Sequence, residues 1–314
     1  MTTVRRRGAA RRQDASPGPQ GLRIGSLTGW SGRTVTGAIL LVFVVFFIVP
    51  LIWLLLAMTK SGGALVRQGP FSFGSWHDLV ANWDQLTSFQ DHAIGQWLFN
   101  SAFYSVAALV LTLVISIPAG YAMALTKFKG RRTLLVITLV VMLIPNTALV
   151  LPLFLEMNAV GLVNTALAVV LPYSFYPFGV YLAYIYFSSS IPGSLLEAAR
   201  IDGAGELQVF VRIALPLAMP IIALVGFFNF VQNWNNYFLP FVMLPSSGKY
   251  PVQVGLSTLL SSTTAFNPSA AGSGSIELPT LALATVVSVL PVLIIFLFSQ
   301  RFLVAGLTAG GTKG

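Results

Sequence analysis

Apolar residues gather in six stretches, each long enough to cross the roughly 30 Å of hydrocarbon in a bilayer. They lie at about 34–58, 97–126, 133–157, 163–187, 217–244 and 279–299. Polar and charged residues fall mainly between them. Most stretches contain proline or glycine, including Pro50, Pro118, Gly120, Pro145, Pro152, Pro172, Pro177, Gly226 and Pro291. Membrane helices tolerate these residues because neighbouring helices and side chains satisfy the freed backbone groups. The pattern predicts an all-α polytopic membrane protein with six transmembrane helices. Residues 1–33 stand outside it. They carry seven arginines and "SPGPQG", with too little apolar content to offset the entropy of ordering, and read as a basic disordered arm. A cleaved signal peptide is not expected: the first apolar run starts late, is too long for an h-region and lacks a small-x-small site.

Composition agrees. Charged residues make up 9% of the 314 residues and hydrophobic ones 55%, against about 25% charged in a soluble domain. There is no cysteine, which removes disulfides, thiolate nucleophiles and cysteine-held metals. His77 and His92 share one loop but have no partner at metal-ligand spacing, so no metal site is expected.

The net charge of +9 is a matter of topology. With the N-terminus inside, 15 Lys and Arg residues fall on the inner side and 3 on the outer side (Lys60, Arg67 and Lys249). The positive-inside rule then places both termini in the cytoplasm. The charge is accounted for without nucleic acid, and the arm is expected near anionic lipid.

Two outer loops follow from this topology. Residues 59–96 hold Phe71, Phe73, Trp76, Trp83 and Phe89, with three aspartates. Such rings suit either the membrane interface or an external protein. Residues 245–278 include "SSTTAFNPSAAGSGS" and are expected to be mobile.

The longest polar stretch on the inner side lies between the fourth and fifth helices, from Ser190 to Pro216. Ser194 and Glu197 have capping-box spacing. A helix from about Ser194 to Asp202 puts Leu195, Ala198, Ala199 and Asp202 on one side, and Gly203 is suited to end it in the left-handed region. A second short helix, about 205–214, carries Leu207, Phe210, Val211 and Ala214. This predicts a helix–Gly–helix plug with an apolar side, beside charges, that suits a partner protein.

The residues here carry a resemblance. Glu197-Ala198-Ala199, Gly203 and Ile213-x-Leu215-Pro216 match every fixed position of the EAA loop, EAA-x3-G-x9-I-x-L-P, of binding-protein-dependent ABC importer permeases; "DGA" at Asp202-Gly203-Ala204 is also typical. The tail "QRFLVAGLTAGGTKG", from Gln300 to Gly314, is similar to that of MalG-type carbohydrate permeases, except for Gly311-Thr312 where that family has Ala-Val. "NWNNYFLPFVML", Asn233 to Leu244, is similar to the same group.

The resemblance covers about residues 34–314. It implies the type I ABC importer permease fold, with an EAA coupling loop at 188–216 and a cytoplasmic tail at 300–314. It also implies a MalF-like second permease subunit, two cytoplasmic ABC ATPase subunits and an extracytoplasmic sugar-binding protein. The ATPase subunits bind ATP and Mg, leaving this chain without a cofactor. Glu197, Ala198, Ala199, Asp202, Gly203, Ala204, Phe210, Ile213, Leu215 and Pro216 are then expected at the ATPase. The tail residues Gly306, Leu307, Thr308, Lys313 and Gly314 are expected to reach toward it.

The remaining chemistry is sparse. No G-x-x-x-x-G-K-[ST] is present, nor G-x-S-x-G, H-E-x-x-H or paired intramembrane carboxylates, so no enzyme activity is expected. Proton- and ion-coupled carriers use intramembrane charge, and only Glu156 lies near a helix end. The fifth segment carries Asn229, Gln232, Asn233, Asn236 and Tyr237. Asn229, Asn233 and Asn236 share a helical face by spacing. Uncharged amides beside aromatic rings suit a sugar, but interhelical hydrogen bonding is an equally ordinary role. Two alternatives stay open: a permease for another polar solute such as a glycerophosphodiester, and a non-transporting assembly or sensory protein.

Overall fold

A computed structural model describes residues 30–270 and 275–309. The basic arm up to residue 29, and Lys313 and Gly314, lie outside the described residues. The chain divides at Leu51. The first unit holds most of α1 (Trp30–Ala57), which is apolar from Ala38 onward and carries Pro50. The second unit, from Ile52, holds all the other elements.

Residues 59–92 fold into two short helices, α2 (Gly62–Arg67) and α3 (Trp76–Ser88). Ser61 and Ser75 cap them by accepting from the N–H groups of Ala64 and Asp78. Lys60 is fully buried, and its Nζ donates to the Gly69 carbonyl at 2.7 Å. Asn82 Nδ2 donates to the carbonyls of Met58 and Lys60. Trp76 and Trp83 are exposed, whereas Trp97 is buried.

The long α4 (Ala93–Leu125) is the central strut. At 1.5 Å per residue it exceeds a bilayer's hydrocarbon thickness. The predicted third segment is two helices, α5 (Arg131–Met142) and α6 (Asn146–Ala159), bent by 104°. Pro145 explains the break: it has no N–H to give and biases the residue before it away from helix. The fourth segment is α7 (Leu167–Ser174) and α8 (Pro177–Ser190), interrupted ahead of Pro177. Gly120 lets α4 and α8 approach closely; a Cβ there would lie 2.4 Å from the Ala183 Cβ.

The loop after α8 carries α9 (Gly193–Ile201), α10 (Glu206–Val209), a π turn at Phe210–Ala214 and a short turn α11 (Leu215–Leu217). The fifth segment does not run 217–244 as one helix. Its core is α12 (Met219–Trp234), bent by 75° from the Glu206–Leu217 stretch, and α13 (Phe238–Met243) follows after a break. Pro216 and Pro220 account for the bend, and Pro240 cannot donate to the Asn236 carbonyl to carry the helix on. Residues 245–270 are structured rather than loose. They form α14 (Val252–Ser261), with Gly255 against the Trp97 ring and Ser101 Oγ accepting from the Val252 N–H. Finally, α15 (Leu278–Ala309) runs past the predicted end at 299. No proline or glycine lies between Pro291 and Gly306 to stop it, so Gly306, Leu307 and Thr308 are helical.

Among the described residues, four helices are long and apolar enough to cross a membrane, or six if each bent pair is one span. Three buried clusters hold the second unit together. One gathers Ile117, Tyr121, Phe187, Leu196, Val209 and Val225 at the 188–216 end. Another surrounds Trp97, Phe230 and Trp234, and the third Tyr104, Tyr173 and Met243.

Candidate functional site

Two sites emerge, a capped loop at one end of the bundle and an uncharged cavity among its helices. In the loop, Pro192 opens α9 and no side chain caps it. The expected Ser194–Glu197 capping box is not formed. Proline's fixed φ starts the helix one position after itself, so Ser194 is already helical and cannot hold the extended geometry of a cap.

The other end of α9 follows expectation. Gly203 has φ of +85°, in the left-handed region. The Gly203 N–H donates to the Arg200 carbonyl and the Ala204 N–H to the Ala199 carbonyl, both close to 3 Å. This pair of bonds is the Schellman cap.

The buried side of the loop is shifted from the one the spacing suggested. Leu196 is 1% exposed and Ala199 packs beside it, while Leu195, Ala198 and Asp202 face outward. In the second helix, Val209 and Ala214 are buried, Phe210 and Ile213 pack on the core, and Leu207 is 75% exposed. Leu215 also packs on the core, Ala204 is half-buried and Pro216 is exposed.

The π turn ahead of Pro216 has a direct cause. The proline ring would clash with the carbonyl four residues back, that of Arg212, so the ladder widens and the Leu215 N–H donates to the Phe210 carbonyl.

The outward face therefore carries Ile201 (85% exposed), Leu207, Leu195 and Val211, with the exposed carboxylates of Glu197 and Asp202. Among the described residues, the Glu197 carboxylate accepts no hydrogen bond. Arg200 and Glu206 pair across the Gly203 turn: Nε donates to Oε1 at 2.7 Å and Nη2 to Oε2 at 3.2 Å. The hydrogen bonds from Arg200 hold the Glu206 carboxyl below its usual range, and they raise the Arg200 guanidinium. A lowered carboxyl keeps the pair complete above the ordinary glutamate pKa; the pair is lost only as pH falls through the lowered value.

The second site is a cavity of about 490 Å³. Its polar lining is Gln232, Asn233 and Asn236, with Asn146 and Thr147 from the start of α6; its aromatic lining includes Tyr173, Tyr176 and Phe178. Among the described residues, no Asp, Glu, Lys, Arg or His lines it. The hydroxyl of buried Tyr173 has no hydrogen-bond partner among the described residues.

The amides divide between the two roles foreseen for them. Asn229 is fully buried and does not line the cavity. Its Nδ2 donates to the Tyr173 carbonyl at 3.3 Å. That carbonyl lies four residues before Pro177, which has no N–H to offer it. Asn229 thus repairs the break in the fourth segment, as Thr112 does by donating to the Ser174 carbonyl. Asn233 donates to Asn229 Oδ1 at 3.0 Å and meets the cavity with its remaining surface.

Asn236 lies past the end of α12, off the predicted face, where its Oδ1 accepts from the Leu239 N–H. Tyr237 does not line the cavity; it stacks on Phe241 and accepts a bond from Ser257. Once α12 ends at Trp234, helical spacing no longer sets where these side chains go. Asn146 and Thr147 escaped the sequence reading, although Pro145 directly before them was a signal that a helix restarts there.

The family described as "Binding-protein-dependent transport system inner membrane component" matches residues 116–309. The arabinooligosaccharides transport system permease protein AraQ of Halalkalibacterium halodurans is 34% identical over 282 residues, 87% of this chain and 94% of that protein. The diacetylchitobiose uptake system permease protein NgcG of Streptomyces coelicolor is 32% identical over 280 residues, 88% of each. A chain from the crystal structure of a bacterial ABC transporter involved in the import of the acidic polysaccharide alginate superposes with a TM-score of 0.74 at 27% identity. The match covers 86% of this chain and 96% of that one.

Proposed function

Because the chain belongs to the binding-protein-dependent transport system inner membrane component family, we propose that it passes a neutral sugar into the cytoplasm by alternating access. It is a multi-pass transport permease subunit of an ABC importer, not an enzyme. In this reading both termini and the loop 188–216 are cytoplasmic. A MalF-like permease pairs with it, two ATPase subunits bind ATP and Mg, and an extracytoplasmic binding protein delivers the sugar. Residues 34–314 form the permease domain, and the tail from 300 extends toward the ATPase.

Ile201, Leu207 and Glu197 make the outward contact with the ATPase. Exposed apolar residues beside charge, on a turn closed by hydrogen bonds, suit a protein partner that must push on the helices. The loop is rigid where it must transmit and apolar where it must dock.

The observation that carries the sugar reading is the cavity. Its amides both donate and accept, its aromatic faces suit sugar rings, and among the described residues no cation lines it to hold a phosphodiester. The names of the arabinooligosaccharides and diacetylchitobiose relatives support the same class. The double variant Asn233→Ala, Asn236→Ala tests it in the reconstituted transporter. It raises the half-saturating concentration for uptake by about ten-fold, the effect of one or two lost hydrogen bonds, and leaves assembly intact. Unchanged uptake kinetics with normal assembly would overturn the pathway role.

A further inference from the structure

The loop is covalently joined to α8 on one side and, through α11, to α12 on the other. It also bonds to a helix it does not follow or precede. Tyr121, near the end of α4, donates from its hydroxyl to Glu206 Oε2 at 3.4 Å. The Tyr121 ring meets Phe210 of the loop at 4.9 Å and Phe187 of α8 at 5.5 Å. One residue earlier, Gly120 seats α4 against the α8 backbone at Ala183 and Tyr184.

We propose that Arg200, Glu206 and Tyr121 form a latch that ties the coupling loop to the end of α4, so that α4 moves with the loop. The inference rests on the reading that this loop docks on the ATPase.

Three features favour a latch over an incidental surface pair. Arg200 and Glu206 stand on opposite sides of Gly203, so their two parallel bonds close the turn that the Schellman cap makes. Asp202 is nearer to Arg200 in sequence and equally acidic, yet it stays exposed, with no side-chain bond among the described residues. Glu206 is also the carboxylate that receives the Tyr121 hydroxyl. Arg200 and Glu206 remain partly in solvent, so they add little to folding. Their effect is positional, and breaking the latch loosens coupling rather than the fold.

The test uses the complete transporter in liposomes, with a photo-reactive residue at Leu207. Two quantities are read for each variant: ATP hydrolysed per solute taken up, and crosslinking of the loop to the ATPase. Tyr121→Phe keeps the ring contacts and removes only the hydroxyl; Glu206→Gln keeps size and removes the charge. Both retain the crosslink and raise the ATP spent per solute, by about two- to five-fold for Glu206→Gln and less for Tyr121→Phe. The exchange Arg200→Glu, Glu206→Arg returns the ratio to within about two-fold of native, because the pair is restored with its sense reversed and the Tyr121 oxygen accepts from the guanidinium placed at position 206. Native ratios in both single variants, with the crosslink present, overturn the latch alone. So does an exchange variant no better than Glu206→Gln. Absence of the crosslink in the native transporter overturns the docking reading and the latch with it.

Discussion

A transporter carrying Gly203→Val takes up solute at least about ten-fold more slowly than the native one, whereas Gly203→Asn stays within about two-fold. The contrast follows from backbone geometry. Gly203 sits at φ of +85°, and among the described residues no heavy atom beyond its own and its two chain neighbours lies within 4 Å of where a Cβ would stand. Space is therefore not the constraint; conformation is. An L-residue in the left-handed region costs about 1–2 kcal/mol, and a β-branched one more. About 1.4 kcal/mol shifts an equilibrium ten-fold, so a penalty of this size or more raises the open population of the turn at least ten-fold. Opening it breaks the Gly203–Arg200 and Ala204–Ala199 bonds and separates Arg200 from Glu206. Asparagine visits the same region at low cost. Uptake, scored with the amount of ATPase that copurifies, checks this, and native uptake by Gly203→Val contradicts it.

The second large effect is on the helices themselves. Gly120→Val prevents accumulation of a stable permease, and Gly120→Ala lowers its melting temperature in detergent. A Cβ at position 120 would stand 2.4 Å from the Ala183 Cβ and 2.8 Å from the Tyr184 nitrogen. Part of that obstacle is backbone, which no rotamer change relieves. Overpacking of this kind costs about 1–3 kcal/mol, and the two further methyls of valine add to it. Thermal unfolding of the purified transporter measures the alanine variant, and a Gly120→Val protein that melts like the native one counts against this account.

Much of this molecule was legible in its sequence, for physical reasons that also mark where legibility stopped. Apolar runs locate membrane-length helices because lipid imposes one requirement on every residue of a run. Hence α4 was found almost whole, and α15 from its start as far as residue 299. The same runs say little about direction. Pro145 and Pro216 were visible as residues, but the bends of 104° and 75° depend on which neighbours accept the freed backbone groups. The Gly203 turn was legible because a local rule governs it. The capping box at Ser194 was not formed, because Pro192 started the helix earlier. Likewise Asn229 and Asn233 obeyed helical spacing, while Asn236 and Tyr237 fell beyond the helix end and lost it. The buried α14 was hidden in a Ser- and Thr-containing stretch, since its burial against Trp97 depends on a helix more than 150 residues away in sequence. Contacts of that range leave no local pattern.

The central claim is that the tip of the 188–216 loop is the surface through which an ATPase moves these helices. Its most direct test is a photo-crosslinking residue at Leu207, illuminated in the assembled transporter in its native membrane. The claim predicts a covalent adduct with the ATPase subunit, lost when the residue is moved to buried Val209. Adducts with lipid or with permease subunits alone, and none with the ATPase, would contradict it.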